Sequence, residues 1–197
     1  MSKVLVVAGL GLLLAWVALG ADEQKKESSG SQTKKNPMVV METNHGTMEI
    51  ELLFNAAPKT AQNFLDLVNK KFYDGLTFHR IVANFVIQGG DPKGDGTGGP
   101  NYSIPDEKSS QPELRGTLGM AKSGPNTTGS QFYINLKDNT FLDAKGFTGF
   151  AKVVKGMEVA DKISKIPVGP NDVPKEKVTI VKAYVKNAPP EVKTDRK

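Results

Sequence analysis

The 197-residue sequence contains no cysteine and only two histidines, His45 and His79. Without thiols there is no disulfide, no thiolate zinc site and no cysteine nucleophile. Two imidazoles also nearly exclude a histidine-built metal centre. Arginine is scarce as well, at positions 80, 115 and 196 only, against 23 lysines. Any chemistry here must run on few titratable groups. What is present is globular in character: 38% hydrophobic and 24% charged residues, unlike a disordered polymer. Twenty glycines and twelve prolines point to many turns and modest helix content.

Residues 1–20 carry one charge, Lys3, followed by an uncharged apolar run from Val4 to Leu19 and small residues at Ala18, Gly20 and Ala21. That pattern reads as a secretory signal peptide. The run is short for a membrane span of about 20 residues, so no stable membrane insertion is expected after cleavage. A retained anchor is the alternative. Residues 21–37 are polar and of mixed charge and read as a flexible linker; residues 187–197 read as a tail of the same kind. A single domain over residues 38–186 remains.

Within that domain the hydrophobic period is mostly two. Strand-like runs fall at residues 38–43, 47–53, 78–81, 85–88, 117–121, 131–134, 150–154 and 178–185. Asn44-His45-Gly46 between the first two has hairpin chemistry. Ala61, Phe64, Leu65 and Val68 recur at helical spacing behind Pro58, which suits a first helical turn. Met157, Ala160 and Ile163 mark a second, shorter helix. About eight short strands and two helices predict a mainly β fold: a closed eight-stranded antiparallel β-barrel capped by two α-helices.

The net charge of +5 raises nucleic acid as a partner. The lysines, however, are scattered, with no basic helix or aromatic-and-basic ladder. A solvated surface explains them better, and no nucleic-acid binding is expected. Gly94-Asp95-Gly96-Thr97-Gly98-Gly99 satisfies G-x-G-x-x-G, but Pro100 follows where a dinucleotide site needs a helix. Asp91 and Asp95 open a calcium-like loop that Lys93 interrupts and no glutamate closes. Ser123 and Ser130 lie outside any G-x-S-x-G elbow. No metal and no cofactor are expected.

Two blocks carry more information. Phe78-His79-Arg80-Ile81-Val82-Ala83-Asn84-Phe85-Val86-Ile87-Gln88-Gly89-Gly90-Asp91 sets an arginine, an aromatic and a glutamine within nine residues. Strand alternation puts Phe78, Arg80 and Val82 on one face, with His79 on the other as a structural residue. Gly124-Pro125-Asn126-Thr127-Thr128-Gly129-Ser130-Gln131-Phe132 leads into a strand on which Gln131 and Tyr133 point the same way. Leu142 follows after a short loop.

These blocks resemble those of the cyclophilin family of peptidyl-prolyl cis-trans isomerases, over about residues 39–185. The resemblance implies an eight-stranded barrel with two helices and isomerisation of X-Pro bonds in proline-containing polypeptides. It implies Arg80 as the catalytic arginine. Phe85, Val86, Tyr133 and Leu142 match the proline-pocket walls, and Gln88 and Gln131 the polar groups beside them. Ala121 and Lys122 match the edge that holds substrate backbone, and Gly96 a loop flanking the groove. Phe141 matches a position where some members carry tryptophan. Many members also carry a histidine shortly after the L-D-G-K-like run; here Leu142-Asp143-Ala144-Lys145 is followed by Gly146-Phe147-Thr148-Gly149, without one. That absence keeps a second class open, a proline-peptide-binding module with little turnover. With the leader, the expectation is a monomeric isomerase exported to a periplasm or the exterior, serving the folding of exported proteins.

Overall fold

The structure, a computed structural model, describes residues 36–186. The expected leader and tail, and all but the last two residues of the expected linker, lie outside the described residues. Among the described residues no helix is long and apolar enough to cross a membrane.

All eight expected strand regions are strands: β1 (Met38–Thr43), β2 (Gly46–Leu52), β3 (Thr77–Val82), β4 (Val86–Asp91), β5 (Thr117–Met120), β6 (Phe132–Asn135), β7 (Gly149–Lys155) and β8 (Ile180–Val185). The two expected helices are α1 (Pro58–Asn69) and α3 (Met157–Ile163), with the one-turn helix α2 (Phe141–Ala144) between them. A 3-10 turn covers Pro170–Asp172. The strands form one antiparallel sheet in the order β3-β4-β6-β5-β7-β2-β1-β8.

The sheet curls until its edge strands meet, but the seam is not a strand ladder, which refines the expectation of a closed barrel. A single bridge joins Thr77 and Thr179, flanked by Phe78 N–H to the Val178 carbonyl (3.0 Å) and Ile180 N–H to the Leu76 carbonyl (2.8 Å). Farther along β8, the Ala183 N–H is taken by the Asp74 carboxylate at 2.8 Å. A side chain thus satisfies a donor that a neighbouring strand would otherwise take, and the edge is closed without further pairing.

Helix α1 begins at Pro58 after Ala57, which supplies no side-chain cap. Its free N–H groups are satisfied from a distance. The Glu107 carboxylate accepts from Lys59 N–H (3.1 Å), Thr60 N–H (2.8 Å) and the Thr60 hydroxyl (2.8 Å). A carboxylate suits the positive end of the helix dipole. The helix turns Phe64, Leu67 and Val68 into the core. Phe64 meets Tyr73 at 4.9 Å, Phe150 at 5.1 Å and Phe132 edge-on at 5.5 Å between ring centroids. These rings fill the concave side of the sheet.

Candidate active site

Arg80, Gln88 and Tyr133 come from three adjacent strands and lie in one cross-strand row. Arg80 opposes Gln88 across β3 and β4, Gln88 opposes Tyr133 across β4 and β6, and Tyr133 opposes Gly119 across β6 and β5. The row faces away from the aromatic core. Beside it opens a pocket of about 220 Å³ lined by Arg80, Phe85, Val86, Gln88, Ala121, Lys122, Tyr133, Leu142 and Phe147. Val86, Tyr133 and Leu142 form its buried apolar wall, with Phe85, Ala121 and Phe147 packed against them.

Simple alternation misplaces the start of β3. The register shifts between Phe78 and Arg80, which oppose consecutive residues Gly89 and Gln88. His79 is the extra residue of a β-bulge, and the bulge re-aims the residues on either side of it. Phe78 therefore sits fully buried in the aromatic core while Arg80 faces the pocket. The two do not share a face, contrary to expectation. His79 is buried and has no hydrogen-bond partner at either ring nitrogen. Burial pulls its pKa below the ordinary histidine value, although Asp91 pushes the other way. It lies outside the pocket lining.

The Arg80 guanidinium is not free. Its Nη2 lies 3.1 Å from Asp172 Oδ2. Asp172 stands on the 3-10 turn with φ of 60°, next to Asn171 at 58°, both in the left-handed region that non-glycine residues seldom occupy. Both partners are substantially exposed, so the pair orients the arginine more than it stabilises the fold.

Tyr133 reaches its position because Gly119 has no side chain. A Cβ there would lie 2.2 Å from the Tyr133 hydroxyl oxygen and 2.4 Å from Cζ. The ring leans across β5, and its hydroxyl donates to Glu113 Oε1 at 3.0 Å. Burial first, and then the Glu113 carboxylate, push the phenol pKa far up, so the hydroxyl stays protonated. Lys122 forms the ridge between the pocket and a neighbouring groove of about 860 Å³. Its ammonium is held by Asp106 Oδ2 and the Gly146 carbonyl, each at 2.7 Å, and sits 5.7 Å from the Phe147 ring centre. That hydrogen bond holds the Asp106 carboxyl below its usual range.

The remaining expected residues lie around this centre. Gln88 Nε2 donates to Gln131 Oε1 at 3.0 Å. Gln131 in turn donates to the Gly96 and Gly98 carbonyls, each at 2.9 Å. Gln131 and Gly96 therefore line the larger groove and not the pocket itself. Phe141 is half-exposed and stacks on Phe85 at 5.9 Å, backing the pocket wall without lining it. Three contributors escaped sequence reasoning: Phe147, Glu113 and Asp172. Phe147 was signalled only as an aromatic beside Gly146. Glu113 and Asp172 carry no local pattern.

A family model for cyclophilin type peptidyl-prolyl cis-trans isomerases matches residues 38–185. Among curated proteins, peptidyl-prolyl cis-trans isomerase-like 1 of Neurospora crassa is 45% identical over 152 residues, spanning 75% of this chain and 93% of that protein. A peptidyl-prolyl cis-trans isomerase of Acinetobacter baylyi is 43% identical over 166 residues, spanning 77% and 87%. The crystal structure of a Cryptosporidium parvum cyclophilin-type isomerase superposes with a TM-score of 0.72 at 32% identity, covering 78% of this chain and 99% of the other. The chain belongs to the cyclophilin-type peptidyl-prolyl cis-trans isomerase family. Its function is that of the family, isomerisation of peptidyl-prolyl bonds.

Proposed function

We propose that the isomerisation takes place at the Arg80–Gln88–Tyr133 row, with the prolyl ring of a polypeptide substrate in the adjoining apolar pocket. The observation that carries this reading is the register. One guanidinium, one amide and one aromatic wall stand side by side at the mouth of the pocket.

Twisting a peptide bond costs about 18–20 kcal/mol because resonance is lost. The cis and trans ground states of an X-Pro bond differ by only about 0.5–1 kcal/mol. No bond breaks and no proton moves, so no nucleophile or tuned base is needed. The site must bind the twisted amide better than either planar form. As resonance fades, the prolyl nitrogen becomes pyramidal and gains a lone pair. Arg80, always charged, donates to that nitrogen and to the neighbouring carbonyl oxygen. Val86, Phe85, Leu142 and Phe147 grip the ring while the preceding carbonyl swings. Ala121 and Lys122 border the substrate backbone, and the Gln88–Gln131 pair joins the pocket to the groove where flanking residues lie. Phe147, beside Gly146, closes that wall with an apolar ring.

The test is cis-trans exchange of an Ala-Pro peptide followed by NMR. Wild type should accelerate exchange strongly and Arg80→Ala should lose that acceleration. Equal rates in the two proteins would overturn the assignment. A crystal structure of the Cryptosporidium parvum relative was determined in the presence of the dipeptide Ala-Pro, which makes that dipeptide the first probe for soaking here.

The proline-containing chains acted on in the cell are, we infer, exported proteins during folding. The support is the leader: Lys3, the apolar run to Leu19, and the small residues Ala18, Gly20 and Ala21. N-terminal sequencing of the protein recovered from its producing cells, with fractionation, tests this. A mature chain starting near residue 21 outside the cytoplasm is expected, and an intact cytoplasmic chain would refute it. We propose a monomer, to be checked by sedimentation.

A further inference from the structure

The Glu113 carboxylate is wholly buried and does not line the pocket, yet it holds the pocket from behind. Its Oε1 accepts the Tyr133 hydroxyl at 3.0 Å and its Oε2 accepts Asn135 Nδ2 at 2.6 Å. The contacts then spread to the other walls. Asn135 Oδ1 accepts Asn139 Nδ2 (2.8 Å), and Asn139 Nδ2 also reaches the Phe85 carbonyl at 3.1 Å. The Glu113 backbone N–H donates to Asp143 Oδ1 at 3.1 Å, and its carbonyl accepts Asn139 N–H at 2.7 Å. Asp143 follows Leu142 in α2. Three pocket residues on three separate segments, Tyr133, Phe85 and Leu142, are thus fastened to one hub.

We propose that Glu113 is a positioning residue for prolyl isomerisation, fixing Tyr133 directly and Phe85 and Leu142 through the network around it. This rests on the reading of the pocket as the site of isomerisation. An ionised carboxylate can accept from both Tyr133 and Asn135. A protonated one still accepts from Asn135 through Oε2, but its own hydroxyl must turn on Tyr133, whose hydroxyl then loses its acceptor and the charge-assisted bond it made. The firm arrangement is therefore the ionised one.

Burial pushes the Glu113 pKa up to about 7, with hydrogen bonds from Asn135 and Tyr133 opposing and Asp143 adding to the rise. The groups facing it are Tyr133 and Asn135 from β6, Asp143 from α2, the uncharged Gly119 and Gly149 from β5 and β7, and no cation from its own segment. Arg115, two residues along the chain, is turned to the Leu136 carbonyl and to Asp161. The pocket should then tighten as pH rises through neutrality. Loss of one hydrogen bond of about 1 kcal/mol corresponds to roughly fivefold in rate.

The experiment is kcat/KM for an Ala-Pro peptide from pH 5.5 to 8.5, with Tyr133 ring resonances followed by NMR over the same range. Wild type should rise roughly fivefold around pH 7, with the ring resonances titrating at the same midpoint. Glu113→Gln should be flat in pH, at about the low-pH level of wild type, and Tyr133→Phe should also lose the step. Should Glu113→Gln fail to fold, Tyr133→Phe decides. A folded Glu113→Gln or Tyr133→Phe that keeps the wild-type step overturns the proposal. Arg80→Ala separates the two readings. If it retains wild-type activity, the site assignment itself fails; if it is inactive while Glu113→Gln is unchanged, only the positioning role fails.

Discussion

Strands β4 and β6 serve two apolar regions at once, one on each face. Ile87, Phe132 and Ile134 point into the large core, where Phe132 alone meets Phe64, Tyr73 and Phe78 at 5.5–5.8 Å. Val86 and Tyr133 point the other way into a cluster of only three buried side chains. The core is a large set of aliphatic contacts built around a cluster of aromatic rings. The outer cluster is small and ringed by Arg80, Gln88 and Lys122, and tied from behind to the buried Glu113. The inner face can devote itself to stability because nothing has to enter it. The outer face keeps a cavity open beside a cation, so its apolar residues are held by polar scaffolding in place of dense packing.

That contrast can be broken first at its strongest point. Phe132→Ala removes the ring at the centre of the inner cluster and should cost about 3–5 kcal/mol of unfolding free energy, measured by denaturant titration. Arg80→Ala should do the reverse. Peptide exchange should fall by about 10²–10³, in line with the loss of one electrostatic donor, while stability moves by no more than about 0.5 kcal/mol. A large stability loss in that variant would blur the division between the faces.

The buried carboxylate sharpens the comparison next. Glu113 has a folded pKa of about 7 against 4.5 for the free group, so the folded state binds this proton more tightly than the unfolded chain. Its contribution is complete below pH 4.5 and is lost as pH rises to about 7. The difference amounts to roughly 3 kcal/mol from 1.36 kcal/mol per unit. Urea titrations from pH 5 to 8 should show this decline in wild type and a flatter profile in Glu113→Gln. The same ionisation that loosens the fold holds Tyr133 firmly, so stability and activity are expected to run in opposite directions with pH.

The smallest effect is expected at the ion pair on the rim. Asp172→Asn removes the partner of Arg80, and because both groups are substantially exposed the stability change should stay under about 1 kcal/mol. The change in peptide exchange should be no more than about fivefold and should shrink as salt is added. A loss as large as that of Arg80→Ala would mean that Asp172 is part of the catalytic apparatus.

Much of the fold was legible because each strand carries its own period of two and each turn its own glycine, proline or asparagine. Helix α1 announced itself through Pro58 and the spacing of Ala61, Phe64 and Val68. The pocket was partly legible, since Phe85, Val86 and Gln88 lie close together in one segment. Simple alternation failed at His79, where one extra residue reverses the facing of Arg80 relative to Phe78. The short helix α2 was missed because four residues cannot show a helical period. Phe147, Glu113 and Asp172 were missed for a different reason. Asp172 lies 92 residues from the arginine it pairs with, and Glu113 lies 20 residues from the tyrosine it holds.

The sequence by itself determined which residues could be strands, which faces were apolar and how little acid-base chemistry was on offer. These are properties of neighbours one to four residues apart, where backbone geometry fixes the relation between side chains. Only the tertiary structure decided that Arg80, Gln88, Tyr133 and Gly119 form one row, that Gly119 leaves room for the tyrosine ring, and that a buried glutamate stands behind it. Those relations depend on strand order and register, which arise where distant segments meet and their side chains compete for the same space.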